Sequence, residues 1–164
     1  MLSWPNFVAQ FFNGLALGSL LALISAGLTV IYGTLGVLNL AHGALFMLGG
    51  YAGYVAYNAT HSFTLAVAAG ALFVLIVGLV MERVVIRHFY ERPPEDQILV
   101  TFGIGVVLAE LVRFGFGSLS KQVPVPPWGQ GATSFGFLIY PTYRIEVLGI
   151  IAVTLLLLYL VLFR

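Results

Sequence analysis

The distribution of charge along the chain constrains its fold more than any other feature. No Asp, Glu, Lys or Arg occurs from Met1 to Met81. Hydrophobic residues make up 60% of the 164 residues and charged residues only 8%, whereas an average soluble domain is about 25% charged. A soluble globule of this size could not cover its surface with so few charged side chains. We therefore predict an integral membrane protein.

Composition argues against several other classes of protein. The net charge is +1 and there is no basic run, so we expect no nucleic-acid partner. The chain has no Cys, and its three histidines lie too far apart for a local zinc motif. It lacks a phosphate loop of the Gly-x-x-x-x-Gly-Lys-Ser/Thr type. We expect no catalytic residue, metal ligand or cofactor here, and no signal peptide, because the first apolar stretch is long enough to span.

Continuous apolar runs of roughly 20 residues predict membrane-spanning helices rather than the alternating strands of a barrel. The fold class that we predict is all-α, a polytopic membrane helix bundle with about five transmembrane helices and one long outside loop. The predicted spans cover about 7–31, 36–57, 63–86, 97–117 and 145–163.

The predicted linkers differ in length and chemistry. Gly33, Thr34 and Gly36 predict a very short first turn, and residues 58–62 a short second one. The third linker, RHFYERPPED, is charged. The fourth, residues 118–144, is rich in Pro and Gly and cannot span; we expect it to fold over the bundle mouth as a small β-hairpin.

Lys and Arg near the span ends predict the orientation, because cytoplasmic loops carry an excess of these residues. The count gives a weak bias of four against three. It places the third linker and the C-terminus in the cytoplasm and the N-terminus outside. The residues on the predicted inner side are Arg83, Arg87, Arg92 and Arg164, and those on the outer side are Arg113, Lys121 and Arg144.

Two spans carry stripes of small residues, which allow helix backbones to approach closely in lipid. The first stripe is Gly14, Gly18, Ala22, Ser25 and Thr29, and the second is Asn39, Gly43, Phe46, Gly50, Gly53 and Tyr57. We predict helix packing for these faces, with lining of a translocation path as the alternative. The predicted packing glycines are Gly14, Gly18, Gly43, Gly50, Gly53 and Gly103.

Polar side chains inside predicted spans need a partner. Glu110 is expected to pair with Arg113 one turn later, either to fix packing or to take part in gating or docking. His42 has Asn39 one turn before it and is interpreted as a hydrogen-bonded packing histidine rather than a proton relay. The candidates for a substrate path are Asn39, His42, Tyr51, Thr101 and Glu110.

Two long motifs resemble the permeases of branched-chain amino acid ABC transporters. The first is GLTVIYGTLGVLNLAHGALFMLGGY, from Gly27 to Tyr51. The second is ERPPEDQILVTFGIGVVLAELVRFGFG, from Glu91 to Gly117, with the RPP-x-DQ, TFG and ELVR patterns. Pro-Val-Pro at 124–126 and Tyr143–Arg144 also fit.

The resemblance implies a transport subunit of a prokaryotic inner membrane, not an enzyme. Its implied partners are a second permease subunit, two cytoplasmic ATPase subunits that hydrolyse ATP, and an extracytoplasmic solute-binding protein. Urea permeases share much of the pattern, so a permease for urea or short amides stays open as an alternative. A non-transporting membrane scaffold fragment and an independent channel or carrier are also open.

The family implies a chain nearly twice as long, with further spans and a coupling helix after the fifth span. We therefore expect residues 1–164 to form a single transmembrane permease domain that is truncated at its C-terminus, corresponding to the N-terminal half.

Overall fold

The computed structural model describes residues 4–136 and 139–163. Arg164, which contributes to the predicted orientation, lies outside the described residues. Five α-helices account for most of the chain, so the predicted all-α class is confirmed. They are α1 (Trp4–Leu35), α2 (His42–Thr60), α3 (Phe63–Val84), α4 (Pro94–Phe116) and α5 (Thr142–Phe163).

Four of these helices, α1, α3, α4 and α5, are long and apolar enough to cross a membrane. The chain is therefore a multi-pass membrane protein. The remaining helix, α2, has 19 residues, or about 28 Å at 1.5 Å per residue. Its four glycines, three tyrosines and polar ends lower its hydropathy.

The third, fourth and fifth predicted spans match α3, α4 and α5 to within three residues at each end. The second does not: it was predicted to start at residue 36, whereas α2 starts at His42. The predicted turn at Gly33 and Thr34 is also wrong, because α1 continues through Leu35 and the Thr34 hydroxyl donates within that helix to Val30 O at 2.7 Å. The non-helical connection is the segment 36–41.

The other connections follow local rules. Ser62 Oγ caps α3 by accepting a hydrogen bond from Leu65 N at 3.4 Å. Pro94 occupies the first turn of α4, where no helical donor is lost. A short 3-10 helix, Ile86–Phe89, links α3 toward α4.

The chain divides into two compact units. One comprises Gly27–Val123, and its core is formed by Val37, Ala41, Leu45, Met81 and Ile86. Two of these five residues, Val37 and Ala41, belong to the 36–41 connection, which therefore packs into the same core as the helices. The expectation of a single permease domain over 1–164 remains a prediction.

The other unit comprises Met1–Ala26 and Pro124–Arg164. It contains the predicted hairpin: β1 (Ala132–Ser134) pairs antiparallel with β2 (Ile139–Pro141), with Thr133 opposite Tyr140. A 3-10 turn, Pro127–Gly129, precedes the hairpin. The expected placement of this loop over the bundle mouth remains a prediction.

Candidate functional site

The 36–41 connection is a non-helical segment in a membrane protein, and it is buried at alternate positions. Val37 and Asn39 are 1% and 4% exposed, and Ala41 is fully buried. Because lipid offers no hydrogen bonds, non-helical backbone inside a membrane protein must find its partners within the protein. The side chains of Asn39 and Thr101 supply two of these partners, and we refer to this group as the connection site.

Thr101 of α4 bonds to the connection from the side. Its Oγ1 accepts a hydrogen bond from Leu40 N at 3.1 Å. The same oxygen lies 3.2 Å from Leu38 O and 2.7 Å from Gln97 O, and its single hydroxyl proton can be donated to one of these two carbonyls. The side chain is 1% exposed. Thr101 therefore ties a distant helix to the break before α2.

Asn39 orders the connection locally. Its Oδ1 accepts from Ala41 N at 3.0 Å, and its carbonyl accepts from His42 N at 3.2 Å. This is an Asx-type turn, in which a side chain replaces a missing backbone partner. Asn39 and His42 are therefore close, as predicted, but the hydrogen bond between them joins backbone atoms. The side-chain amide oxygen of Asn39 accepts from Ala41 N instead.

The remaining path candidates lie at the edge of this site or away from it. His42 begins α2 and lies against Gly27, where an added methyl group would be 3.2 Å from the imidazole Nε2. The ring of Tyr51 packs on Phe116 with centroids 4.7 Å apart. Tyr51 also lines two cavities of about 440 and 420 Å³. The structure thus brings together Asn39 and Thr101, with His42 at the edge.

Glu110 and Arg113 form the predicted ion pair. Arg113 Nη1 lies 3.4 Å from Glu110 Oε1, and both side chains are more than half exposed. The pairing is confirmed. Its part in packing, gating or docking remains a prediction.

Among the six glycines predicted to pack helices, the described residues give only Gly53 a close neighbour. A methyl group there would lie 3.2 Å from Ala66 O of α3. The other five have open space around them, so their contact with a further helix remains a prediction. The closest crossing was missed: a methyl group on Gly70 would lie 2.7 Å from Gly49 O.

A second polar cluster, which was not predicted from the sequence, lies in the unit with the hairpin. Asn13 Oδ1 accepts from Tyr140 Oη at 3.1 Å and from Arg144 Nη1. Arg144 Nε donates to Tyr143 Oη at 3.3 Å. A signal for it exists in the sequence, because no acidic residue stands three or four positions from Arg144 to neutralise it on the helix.

The third linker is ordered by side chains on both of its flanks. Gln97 is buried, and its Nε2 donates to Phe89 O at 3.0 Å and to Arg92 O at 3.1 Å. Tyr90 Oη donates to Glu82 Oε1 at 2.8 Å. Partial burial, and then this hydrogen bond to a carboxylate, raise the pKa of Tyr90 above its ordinary value.

The family described as "Branched-chain amino acid transport system / permease component" matches residues 10–164. The chain belongs to this family. The resemblance inferred from the motifs is therefore confirmed, and the family is one of transport-system permease components.

Curated relatives of this permease component come from several bacteria. It is 32% identical over 127 residues to the high-affinity branched-chain amino acid transport system permease protein LivH of Salmonella typhimurium and of Escherichia coli. It is 29% identical over 128 residues to BraD of Pseudomonas aeruginosa, which bears the same description. No solved structure matches.

The matched region covers 72% of this permease component but 41% of LivH, and 73% of it but 42% of BraD. The chain therefore spans less than half the length of the curated relatives it matches.

Proposed function

We propose that this permease component forms part of the membrane path of an ATP-driven importer for branched-chain amino acids. The observation that carries the proposal is the family match over residues 10–164. Four apolar helices of spanning length support it. Membership in a family of transport-system components implies further subunits.

The proposed partners divide the work. Two cytoplasmic ATPase subunits hydrolyse ATP, a second permease completes the path, and an extracytoplasmic binding protein delivers the solute. The proposed location is the inner membrane of a prokaryote. This chain contributes helices whose arrangement is fixed by its own polar contacts.

Within this proposal, the path candidates take two roles. Asn39 and Thr101 are buried and bonded to the connection, so they act as positioning residues that hold the end of α1 and the start of α2. His42 and Tyr51 are partly exposed and remain candidates for the path itself. Glu110 is exposed on α4 and is proposed to face a partner or water.

Reconstitution tests the proposal. The complete gene product that carries this sequence is placed in liposomes with the second permease and the ATPases, with the binding protein and labelled leucine outside. We expect ATP-dependent uptake that unlabelled valine and isoleucine inhibit and urea does not. The matched control replaces the phosphate-loop lysine of the ATPase.

Two results would contradict the proposal. Uptake that persists with the inactive ATPase indicates an independent carrier or channel. An assembled complex that takes up urea, or no solute at all, favours the urea permease or the scaffold alternative.

A further inference from the structure

A cavity in the unit formed by Met1–Ala26 and Pro124–Arg164 combines an apolar wall with a fixed cation. Its volume is about 360 Å³. Leu20 lies seven residues after Asn13 on α1, or about 10 Å along the helix, so the polar groups gather at one end of the wall. The lining residues are Asn13, Ala16, Leu17, Leu20, Tyr143, Arg144 and Val147.

The guanidinium of Arg144 is held in place from several directions. Asn13 Oδ1 and Tyr143 Oη accept two of its N–H groups. Its central carbon lies 6.0 Å from the ring centroids of both Tyr140 and Tyr143, within the range of a cation–π contact. Tyr140 is 3% exposed and is itself bonded to Asn13. These contacts orient the cation before any ligand arrives.

No anion in the described part of the chain neutralises this cation. The acidic side chains all lie in that part, and the ion pair found there joins Glu110 to Arg113. The acid closest in sequence, Glu146, is directed elsewhere, with Oε2 3.2 Å from where a methyl group on Gly129 would stand. Arginine has five N–H donors. Arg144 therefore keeps donors available for a ligand.

We propose that this cavity binds the carboxylate of a small amphipathic acid with a short branched side chain. The carboxylate would take the free donors of Arg144, because the planar guanidinium matches two carboxylate oxygens. The branched side chain would lie along Ala16, Leu17, Leu20 and Val147. The identity of the acid as a branched-chain amino acid rests on the proposed function.

The size of the cavity favours a small solute over a lipid. A volume of about 360 Å³ is at the lower end of the range for small-molecule sites, roughly 300–1,000 Å³. An anionic lipid headgroup also suits a guanidinium, but the acyl chains of a lipid would have to lie outside this volume, whereas a small branched acid would place its side chain against the apolar wall. We therefore assign the site to a free carboxylate, and the experiment below separates the two sources.

Binding is measured with the complete gene product in nanodiscs that contain phosphatidylcholine only. The ligands are labelled leucine and leucinamide, which lacks the carboxylate but keeps the side chain. We expect the wild type to prefer leucine at least tenfold. Arg144→Gln should weaken leucine binding at least tenfold and remove the preference, whereas the control Arg83→Gln, at the exposed end of α3, should keep both.

The preference for leucine over leucinamide shows whether Arg144 contacts the ligand or only holds neighbouring side chains in place. If Arg144 only held Asn13 and Tyr140, Arg144→Gln would weaken leucine and leucinamide equally, and the proposal would be overturned. It would also be overturned if an anionic lipid co-purified with the wild type and was lost from Arg144→Gln without a change in leucine binding.

A second variant keeps the test open if Arg144→Gln does not fold. Ala16→Leu fills the apolar wall and leaves the cation in place. We expect it to lose leucine binding and to retain L-alanine binding, and equal retention of both would overturn the proposal.

Normal leucine uptake by an importer carrying Arg144→Gln rejects this site but leaves the proposed function standing. Absence of uptake by the wild type rejects the proposed function.

Discussion

Thr101 shows how one hydroxyl group can hold the non-helical connection between two helices in place. Replacement by valine keeps the side-chain shape but leaves Leu40 N without the acceptor at 3.1 Å. This hydrogen bond is partly buried, and the net contribution of a typical intramolecular hydrogen bond is about 0.5–1.5 kcal/mol, so we expect Thr101→Val to lower the free energy of unfolding by about that amount. The measurement is denaturant unfolding in detergent, followed by circular dichroism.

Two control variants separate the hydroxyl from other effects. Thr101→Ser keeps the hydroxyl and should recover most of the stability. Thr154→Val removes a hydroxyl that bonds only within its own exposed helix turn and should have little effect. If Thr101→Val were as stable as the wild type, the connection site would not depend on this bond.

Tyr90 makes the stability of the folded chain depend on pH in the alkaline range. Its pKa is raised in the folded chain, so the phenol favours the folded state at pH values below its ordinary pKa. This stabilisation is lost as the pH rises through the raised pKa. Tyr90→Phe should therefore flatten the loss of stability above about pH 10, by less than about 1 kcal/mol because the site is exposed.

The acidic partner of Tyr90 supplies the control. Glu82→Gln keeps a hydrogen-bond acceptor and removes the charge that opposes the phenolate. It should reduce the alkaline loss without abolishing it, because partial burial is the largest cause of the shift. An identical pH profile in all three proteins, measured by thermal unfolding between pH 8 and 11, would contradict the assignment.

At the scale of elements, α2 and α3 cross most closely at Gly49 and Gly70. A methyl group on Gly70 would lie 2.7 Å from Gly49 O, and that backbone atom cannot rotate away. Overpacking typically costs about 1–3 kcal/mol, so Gly70→Ala should destabilise the chain by this amount. Gly78→Ala, in open space on the same helix, should be neutral or slightly stabilising. Thermal unfolding in detergent compares the two variants, and equal melting temperatures would contradict the close crossing.

The exposed face of α2 is expected to affect assembly of the complex rather than stability of the chain. A methyl group on Gly50 would meet no other part of the described chain within 4 Å, whereas one on Gly53 would lie 3.2 Å from Ala66 O. We expect Gly50→Leu to preserve the fold of the chain and to reduce the yield of the assembled complex. Gly53→Leu should lower the stability of the chain itself. Co-purification of tagged partner subunits measures assembly, and a normal yield for Gly50→Leu would show that this face meets no other helix.

Hydropathy could predict the elements but not how they are interrupted. The apolar runs of α3, α4 and α5 end at charged or Pro-rich linkers, so their limits could be read from the sequence. The segment 36–41 is as apolar as a helix, and Thr101, the residue that hydrogen-bonds to it from α4, lies about 60 residues away. The stripe around Gly50 was predicted from helical spacing alone, which cannot say whether Gly49 or Gly50 meets α3. Asn39 and Thr101 were chosen for polarity, but only the structure shows that they bond to the same connection.

At the scale of the whole molecule, the side of the membrane on which each loop lies can be tested directly. Residues 1–164 contain no Cys, so a single cysteine placed among them reports its own position once any cysteine elsewhere in the gene product has been replaced. Because α4 is of spanning length, Ser134 in the hairpin and Glu91 in the third linker should lie on opposite sides. We expect Ser134→Cys in intact cells to react with an impermeant maleimide and Glu91→Cys to react only after permeabilisation, as the bias in Lys and Arg predicts. The reverse pattern would invert the predicted orientation.

The same labelling decides whether α2 crosses the membrane, since its hydropathy alone does not. If α1, α2 and α3 all cross, Trp4 lies on the side opposite the third linker, and Trp4→Cys should label in intact cells together with Ser134→Cys. If α2 stays on one side, the N-terminus moves to the side of the third linker and Trp4→Cys should be protected. We expect labelling, because a helix of 19 residues reaches about 28 Å, close to the roughly 30 Å of the hydrocarbon core. Glycines and tyrosines that lower its hydropathy are acceptable where neighbouring helices, rather than lipid, surround them.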